Sequence, residues 1–526
     1  MKKLLAGLLA ASMMATAFAG CGGSSASSKS EGSKASSSKS ESSKNESDTE
    51  EKETNALTGT SGGFEGRDDI SYVMIYNPAV CSDEDAEKAS QQKSMLSSTS
   101  TGDFSAYVDP GMSRADDLGD EPVLDSVTPN LDIPFDVDLS GDRGAFIPPT
   151  YKVGDKHEFF FNGSTGKTEK DTFTCIAVGD HSYVWTCNSE KPNETVLEAI
   201  TKEFDEKIYD ADVAAFGEPR YADVGGKISI LVHKMSNSCL RGYFEPAELL
   251  NISDGVTELD ATRAGLTINH ATIHVNTDVL ISGEERMVCA TLAHEFQHLI
   301  NFGSFFESGS KATMATWLNE SMSAYAEENM YPGVKVEKGM IYSIAHSAMV
   351  RGGQSLYNFA TKDKPQDIGS YASVYLFAMY LANLAGENVF HDVQDAFRNS
   401  FGTAINTATG LYKGTPSDIV SEISDKYTYP SEFSFASKEE EFMSKLTLDY
   451  YLSLMSYSAG DPKAFADVAK ESLLYDEINP ASIEEGGRVF VATKNGTYTI
   501  PSDAGKPLAY IGFDKDFKPV TDVIYQ

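Results

Sequence analysis

The amino-acid sequence predicts an α+β fold, because β-type and α-type patterns occupy separate parts of the chain. Residues 151–190 alternate apolar and polar side chains and contain the turn dipeptides Asn162-Gly163 and Gly179-Asp180, which is typical of β-hairpins. Short apolar runs at 227–232 and 271–276 predict two more strands, and a helical period dominates from residue 282 to about 425. We therefore expect a small sheet followed by a mostly helical half, with β-rich segments on either side.

The remaining elements are assigned in chain order. Residues 72–76 predict a first strand, and the runs 172–178 and 183–187 predict a hairpin. A loop centred on His181 would place Cys175 opposite Cys187, whereas a loop centred on Gly179-Asp180 would not, so the sequence leaves this register open. Residues 196–208 fit an amphipathic helix. Residues 430–475 are expected to be helical, and residues 488–526 return to short strands.

Charge and cysteine content exclude several classes of protein. The chain has 526 residues, with 43 Lys and Arg against 78 Asp and Glu, which gives a net charge of −35. A surface this acidic repels phosphate backbones, so nucleic acid is not an expected partner. Six cysteines are too few for a disulfide scaffold of this length. Only the N-terminal segment is apolar enough to enter a membrane, which excludes a multi-span transporter.

The N-terminus has the order of an export signal. Met1-Lys2-Lys3 precedes an apolar stretch that ends in small residues and Cys21. This ending resembles the lipobox of bacterial lipoproteins, in which Cys21 would carry the lipid and become the mature N-terminus; an ordinary secretory signal is the alternative. Residues 22–60 are rich in Ser, Lys and Glu and predict a disordered tether. The expected location is the outer face of the bacterial cytoplasmic membrane, with the lipid as the contact to that membrane.

One motif carries metal chemistry. A His-Glu-Phe-Gln-His sequence spans residues 294–298, inside a helix whose start is predicted from a capping-box pattern at 282–285. Histidines at i and i+4 lie on one helix face, about 6 Å apart along the axis. His294 and His298 can therefore ligate one Zn²⁺, and Glu295, beside the metal, can accept a proton from the activated water. The alternative is a helix with unrelated histidines.

A third protein ligand is expected, because catalytic zinc takes three and leaves one position open. Glu320 follows in a second predicted helix, in the sequence Trp-Leu-Asn-Glu at 317–320. Two antiparallel helices joined by a loop can place Glu320 opposite His294 and His298. A surface glutamate is the alternative, and the preceding motif disfavours it.

The motif and the helix-borne glutamate together resemble the gluzincin metallopeptidases. Segments 294–302 and 317–320, with the hairpin at 178–185, are similar to the hyicolysin-like secreted bacterial metallopeptidases, over roughly residues 150–400. A more distant likeness is to leucyl-aminopeptidase-like zinc enzymes. The resemblance implies a gluzincin (thermolysin-like) core, in which a small twisted sheet has its edge strand over the cleft and the motif helix lies beneath. It implies His294, His298 and Glu320 as zinc ligands and Glu295 as the base.

Some positions depart from the relatives. In thermolysin-like enzymes an acidic residue four after the ligand glutamate orients one histidine, and here that residue is Ala324. We expect Asn319 or Asp278 to orient the histidine instead. Aminopeptidase relatives carry an acidic residue that binds the substrate amine, whereas residues 264–277 here contain neither Asp nor Glu, which favours an endopeptidase. Tyr371 matches the tyrosine that stabilises the oxyanion in those relatives, with core packing as its alternative.

A few other side chains are weaker candidates. His270, His274 and His346 are candidate substrate-side donors or supports of the metal ligands, although ordinary polar or core roles are favoured. Tyr375 and Tyr380 are expected to pack in the core.

These observations predict a surface-anchored endopeptidase that uses one catalytic Zn²⁺ to hydrolyse peptide bonds of protein or peptide substrates. A non-catalytic zinc-containing surface binding or adhesion lipoprotein is the main alternative, and a zinc hydrolase of a non-peptide bond is another. Residues 136–142 resemble the start of a Ca²⁺ loop, but Ile147 occupies the position of its bidentate glutamate, so an acidic loop without calcium is favoured.

The sequence is therefore divided into five segments. Residues 1–21 are the signal peptide and 22–60 the tether. Residues 61–190 form an N-terminal β-rich region, and the sequence leaves open whether 61–150 is a removable propeptide. Residues 191–425 form the catalytic domain, and residues 426–526 form a C-terminal module that is first helical and then β-rich.

Overall fold

A computed structural model describes most of the chain after residue 62. The described residues are 63–80, 147–189, 191–236, 241–280, 283, 285–308, 314–331, 355–357, 368–400, 405–431, 433–458, 479–502, 504–516 and 518–526. Cys21, the tether at 22–60, the candidate calcium loop at 136–142 and His346 lie outside them. No helix within the described ranges combines the length and apolarity that crossing a bilayer requires.

The described chain is α+β, as the sequence predicts. Its strands are β1 (Tyr72–Tyr76), β2 (Lys156–Asn162), β3 (Thr168–Val178), β4 (Ser182–Cys187), β5 (Ile228–His233), β6 (Gly242–Tyr243), β7 (Ala271–Asn276), β8 (Arg488–Ala492), β9 (Ala509–Phe513) and β10 (Ile524–Tyr525). Its helices are α1 (Glu194–Glu203), α2 (Tyr209–Phe216), α3 (Glu258–Ala264), α4 (Glu285–Ser308), α5 (Thr316–Met330), α6 (Ile368–Ala385), α7 (Val389–Arg398), α8 (Thr407–Gly414), α9 (Ser417–Lys426) and α10 (Lys438–Ser458). A π-helical turn at Phe204–Ile208 joins α1 to α2, so the helix expected at 196–208 changes its period before it ends.

Strands β2 to β7 form a six-stranded sheet in the order β2-β3-β4-β5-β7-β6. Strands β4, β5 and β7 run parallel, and β6 pairs antiparallel with β7 at the edge. In the hairpin, Cys175 pairs with Trp185 and Phe173 pairs with Cys187, with a bulge after Cys175. The two cysteines therefore do not face each other, and both are free thiols.

The two faces of this sheet pack against different partners. Alternate residues of β5 and β7, such as Val232 and Val275, join the main core with helix α4. The residues between them face the other side, where Leu231 packs with aromatic residues of β2 to β4, including Phe159 and Trp185. Both central strands are buried along their whole length, as parallel strands covered on two faces are.

A second, antiparallel sheet has the order β10-β9-β1-β8. Strand β1 lies in its middle, paired with β8 and β9 from the C-terminal end of the chain. The sequence predicted a domain boundary near residue 190. Strand β4, before this position, pairs with β5, after it, so the predicted boundary falls inside the six-stranded sheet. Apolar alternation identifies a strand but carries no information about which distant strand it will pair with.

Helix α4 is the central helix of the structure. Twenty of its 24 residues are buried, so it is an interior helix and not a surface one. It packs against the sheet through β7 and against α5, and it begins at Glu285, whereas Ser282 of the expected capping box lies outside the described residues.

A buried ion pair fixes the chain on one side of α4. Arg220 donates two hydrogen bonds to the carboxylate of Asp254, at 2.8 and 2.9 Å, and a third to the carbonyl oxygen of Leu249 at 2.8 Å. Both charged side chains are at most 2% exposed. Gly303 of α4 meets Arg220 closely, because a Cβ there would lie 3.0 Å from the Arg220 Cβ. The ion pair therefore links Arg220 to the chain segment around Leu249 and Asp254, and the close contact with Gly303 holds Arg220 against helix α4.

We predict that Asp254→Asn lowers the free energy of unfolding by about 3–5 kcal/mol, because it leaves the Arg220 charge buried without its counter-charge. Chemical denaturation measures this value. Glu206→Gln removes one partner of the exposed Lys202–Glu206 pair and serves as the control, with little expected change. Equal effects of the two substitutions would contradict the assignment of the Arg220–Asp254 pair as a structural clamp.

Candidate metal centre

Two imidazoles converge inside the protein from one face of α4. His294 and His298 are one helical turn apart and fully buried. Their Nε2 atoms lie 3.1 Å from each other. The local spacing of the motif, i and i+4 on a regular helix, accounts for this geometry.

Glu320 of α5 completes the group. One carboxylate oxygen lies 3.4 Å from Nε2 of His294, and the other lies 3.7 Å from Nε2 of His298. Tetrahedral ligands that are each about 2.0–2.1 Å from a zinc ion are about 3.3 Å from one another. The three side chains are therefore spaced as the ligands of one metal ion are, and this His-His-Glu group could bind one.

Glu327, also on α5, contacts the His294 ring at the nitrogen that points away from His298 and Glu320. Its Oε1 lies 2.7 Å from Nδ1 of His294, and both side chains are buried. An ionised carboxylate only accepts hydrogen bonds, so Nδ1 of His294 carries a proton and donates a hydrogen bond to Glu327. Nε2, the other ring nitrogen, then faces His298 and Glu320. Carboxylate–histidine pairs of this kind fix the tautomer and orientation of metal-ligating histidines.

Glu327 was not predicted from the sequence, because the spacing of the thermolysin-like relatives points to the residue four after Glu320, which is Ala324. Glu327 is seven residues after Glu320, which is two turns along the same helix face, and that spacing is the signal that could have identified it. Of the two residues expected to orient a histidine, Asp278 was a wrong choice, since it pairs with Lys234 near the surface at 3.3 Å. Asn319 does interact with His298, and its Oδ1 accepts a hydrogen bond from Asn301.

The electrostatics of the group favour a cation. Burial lowers the pKa of His294, but hydrogen bonds with Glu320 and Glu327 outweigh it and raise that pKa above its usual range. Burial lowers the pKa of His298, with only partial compensation from Glu320. The two carboxylates therefore favour a positive charge at Nε2 of His294, and a divalent cation bound by Nε2 of both histidines and by Glu320 would supply that charge in this dry interior. The residues present fit a divalent metal ion.

Glu295 lies beside this group on the same helix. It is fully buried, and its charge contributes to the raised pKa of His294, the residue that precedes it. Strand β6 passes directly over it. A Cβ on Gly242 would lie 3.7 Å from Cγ of Glu295, 3.0 Å from Cγ2 of Thr291 and 2.8 Å from the carbonyl oxygen of His274. Only glycine permits so close an approach of the edge strand to α4.

The position of this edge strand corrects one step of the sequence argument. The segment 264–277, searched for an acidic residue that could bind a substrate amine, ends in β7, which is an interior strand. The edge strand is β6, and it is followed by Glu245 and Glu248. Both carboxylates are used within the chain, since Glu245 accepts from the Ala247 amide at 3.3 Å and Glu248 accepts from the Thr272 hydroxyl.

The weaker candidates lie elsewhere or are not described. Tyr371 is in the first turn of α6, but its side chain lies outside the described part of the structure. Tyr375 packs against Ala324, and the Tyr380 hydroxyl donates to Asp449 at 2.7 Å. His270 and His274 lie apart from the group of His294, His298 and Glu320. His274 is in β7, and His270, the residue before β7, is hydrogen-bonded to Tyr151 at 2.8 Å.

Comparisons with known proteins give one sequence relative. The chain is 27% identical over 252 residues to the protein named neutral metalloprotease ShpI of Staphylococcus hyicus, which covers 46% of this chain and 55% of the relative. The chain thus spans about half the length of that protein. No family model matches. Among solved structures, leukotriene A4 hydrolase from Saccharomyces cerevisiae aligns with 58% of this chain and 47% of its own, at 12% identity and a TM-score of 0.29, which is too low to support any inference.

We predict that Glu327→Ala weakens zinc binding by about 10- to 100-fold, because the His294 ring loses its fixed tautomer and orientation. Competition with a chromophoric chelator measures the affinity. Asp278→Asn, the surface acid paired with Lys234, is the control and should leave the affinity unchanged. If Asp278→Asn weakens binding as much as Glu327→Ala, the assignment of Glu327 as the orienting group is wrong.

Proposed function

We propose that the chain is a zinc-dependent endopeptidase that hydrolyses peptide bonds in proteins or peptides. The observation that carries this proposal is the convergence of His294, His298 and Glu320 at 3.1–3.7 Å, with Glu295 buried next to His294 on the same helix. A relative named as a neutral metalloprotease supports a peptidase at a coarser level. The order of two histidines on one helix and a glutamate on the next supports the gluzincin and hyicolysin-like assignment.

Each residue has a defined part in the proposed reaction. His294, His298 and Glu320 would hold the metal, and Glu327 keeps the proton of His294 on Nδ1. When bound, zinc supplies a Lewis acid and brings the pKa of water towards 7. Glu295 accepts a proton from the attacking water on a carboxylate oxygen and returns it to the nitrogen of the leaving amine. Tyr371 is proposed as a hydrogen-bond donor to the developing oxyanion.

An endopeptidase is favoured over an aminopeptidase by the chemistry around β6. A free substrate amine needs an available carboxylate near the edge strand. Glu245 and Glu248, the acids that follow β6, are already hydrogen-bonded to Ala247 and to Thr272 and His274. Attachment to the outer face of the cytoplasmic membrane through a lipid on Cys21, with residues 22–60 as a tether, belongs to the same proposal and rests on the sequence pattern.

We predict that the purified protein cleaves unfolded casein, that a zinc chelator abolishes the cleavage, and that Glu295→Gln lowers kcat at least about 100-fold while the bound zinc is retained. Proteolysis assays and metal analysis test this. Glu198→Gln, an exposed residue of α1, is the matched control and should leave turnover unchanged.

Two outcomes would contradict the proposal. Near-normal cleavage by Glu295→Gln would remove Glu295 from the reaction. About one zinc per chain without any chelator-sensitive cleavage would instead indicate a binding protein with a structural metal.

A further inference from the structure

A buried polar array lies on the face of the six-stranded sheet that is turned away from α4. It consists of His233 at the end of β5, Thr272 and His274 of β7, and Glu248 of the 3₁₀ turn Pro246–Leu249, and we call it the imidazole array. Nε2 of His274 lies 3.0 Å from Oε2 of Glu248, and its Nδ1 lies 3.0 Å from Nε2 of His233. All four side chains are at most 3% exposed.

The position of each proton follows from one fixed acceptor. Nδ1 of His233 lies 3.3 Å from the carbonyl oxygen of Lys234, which can only accept, so this nitrogen carries the proton. Nε2 of His233 is then an acceptor, and Nδ1 of His274 must donate to it. Because a neutral imidazole carries only one proton, Nε2 of His274, which faces Glu248, is then unprotonated. The array is complete only if one further proton lies between Glu248 and His274.

The surroundings place that proton on the carboxyl group. Burial raises the pKa of Glu248 to about 8, while burial lowers the pKa of His274 to about 3. The pKa of His233 is lowered to about 3, by burial and by His274. Glu248 is therefore a neutral acid that donates to His274 and accepts from Thr272. The other titratable groups that face it are Tyr243 on β6 and Glu245 in the preceding loop.

The array is attached to the edge strand at two points. The ring of Tyr243, on β6, stacks on His274 with centroids 4.1 Å apart and an angle of 9°. Glu248 follows β6 by five residues and binds the same histidine. Strand β6 itself has only two residues, next to the hydrogen bond from the Asn276 amide to the Arg241 carbonyl at 2.8 Å. So short a ladder gives little stability alone, and side-chain contacts must supply the rest.

We propose that Glu248 and His274 form a hydrogen-bonded positioning pair that holds strand β6 over Glu295, for the peptidase activity proposed above. The two residues lie on the far side of the sheet from the metal-binding group and act through the strand. Loss of the shared proton leaves a carboxylate facing the Nε2 lone pair of His274. The stabilisation is present at low pH and is lost as the pH rises through about 8, because the pKa of Glu248 is raised in the folded state.

Glu248→Gln and Glu248→Leu separate this role from simple packing. The amide of Gln donates to His274 permanently, as the neutral acid does, whereas Leu keeps the volume and leaves Nε2 of His274 without a donor. We expect Leu to raise KM for a peptide substrate about fivefold or more, with kcat and zinc content nearly unchanged. Gln should behave like the wild type at pH 7 and should lack the rise of KM that the wild type shows above pH 8.

Hydrogen–deuterium exchange at the Asn276 amide gives a readout that does not depend on activity. Corrected for the intrinsic rate, exchange should be about tenfold faster in Glu248→Leu than in the wild type at pH 7. At pH 9 the wild type should exchange faster than Glu248→Gln. Glu245→Gln, the neighbouring acid whose pKa is also about 8, is the matched control and should follow the wild type.

The outcomes separate this proposal from the proposed function. Identical pH dependence of exchange in the wild type and Glu248→Gln overturns the positioning pair, whether or not the protein cleaves peptides. An equal increase of the Asn276 exchange rate in Glu248→Gln and Glu248→Leu at pH 7 also overturns the positioning pair. If exchange follows the expected pattern but no variant cleaves peptides, the pair holds the strand and the peptidase assignment is wrong.

Discussion

The burial of two imidazoles and a carboxylate around one point, inside the apolar core, is the constraint on which the rest of this structure depends. His294, His298 and Glu320 expose none of their surface, and their donor atoms face one another. Such a group is costly in a medium of low polarity unless a cation neutralises it. The helices that carry these residues must therefore be held firmly, because a shift of one side chain would leave the others uncompensated.

Three features of the chain provide this rigidity. Helix α4 is buried on nearly all sides, so its register cannot change without disturbing the core. Glu327 fixes His294 through the nitrogen that points away from the metal-binding group. Gly242 lets β6 approach Glu295 of α4, and the array around His274 holds that strand from the opposite face of the sheet. The candidate metal ligands and the edge strand are thus positioned by separate sets of contacts.

The sequence identified what depends on local spacing. The helix period brings His294 and His298 to one face, and the helix that follows brings Glu320 to them, so these residues could be named before the structure was known. Residues whose partners are distant were harder to find. Strand β6 is two residues long and shows no alternation, and β1 pairs with strands more than 400 residues away. Glu327 was overlooked because only the spacing known from relatives was considered, although its own helix period contains the signal.

X-ray absorption at the zinc edge of the zinc-loaded protein tests the central claim most directly. The account predicts one zinc per chain with two imidazole nitrogens and carboxylate oxygen at about 2.0–2.2 Å. The imidazole contribution should fall by half in a His298→Ala variant. Sulfur ligands, a shell of oxygen atoms alone, or a spectrum that His298→Ala leaves unchanged would contradict the assignment of this group as the metal centre.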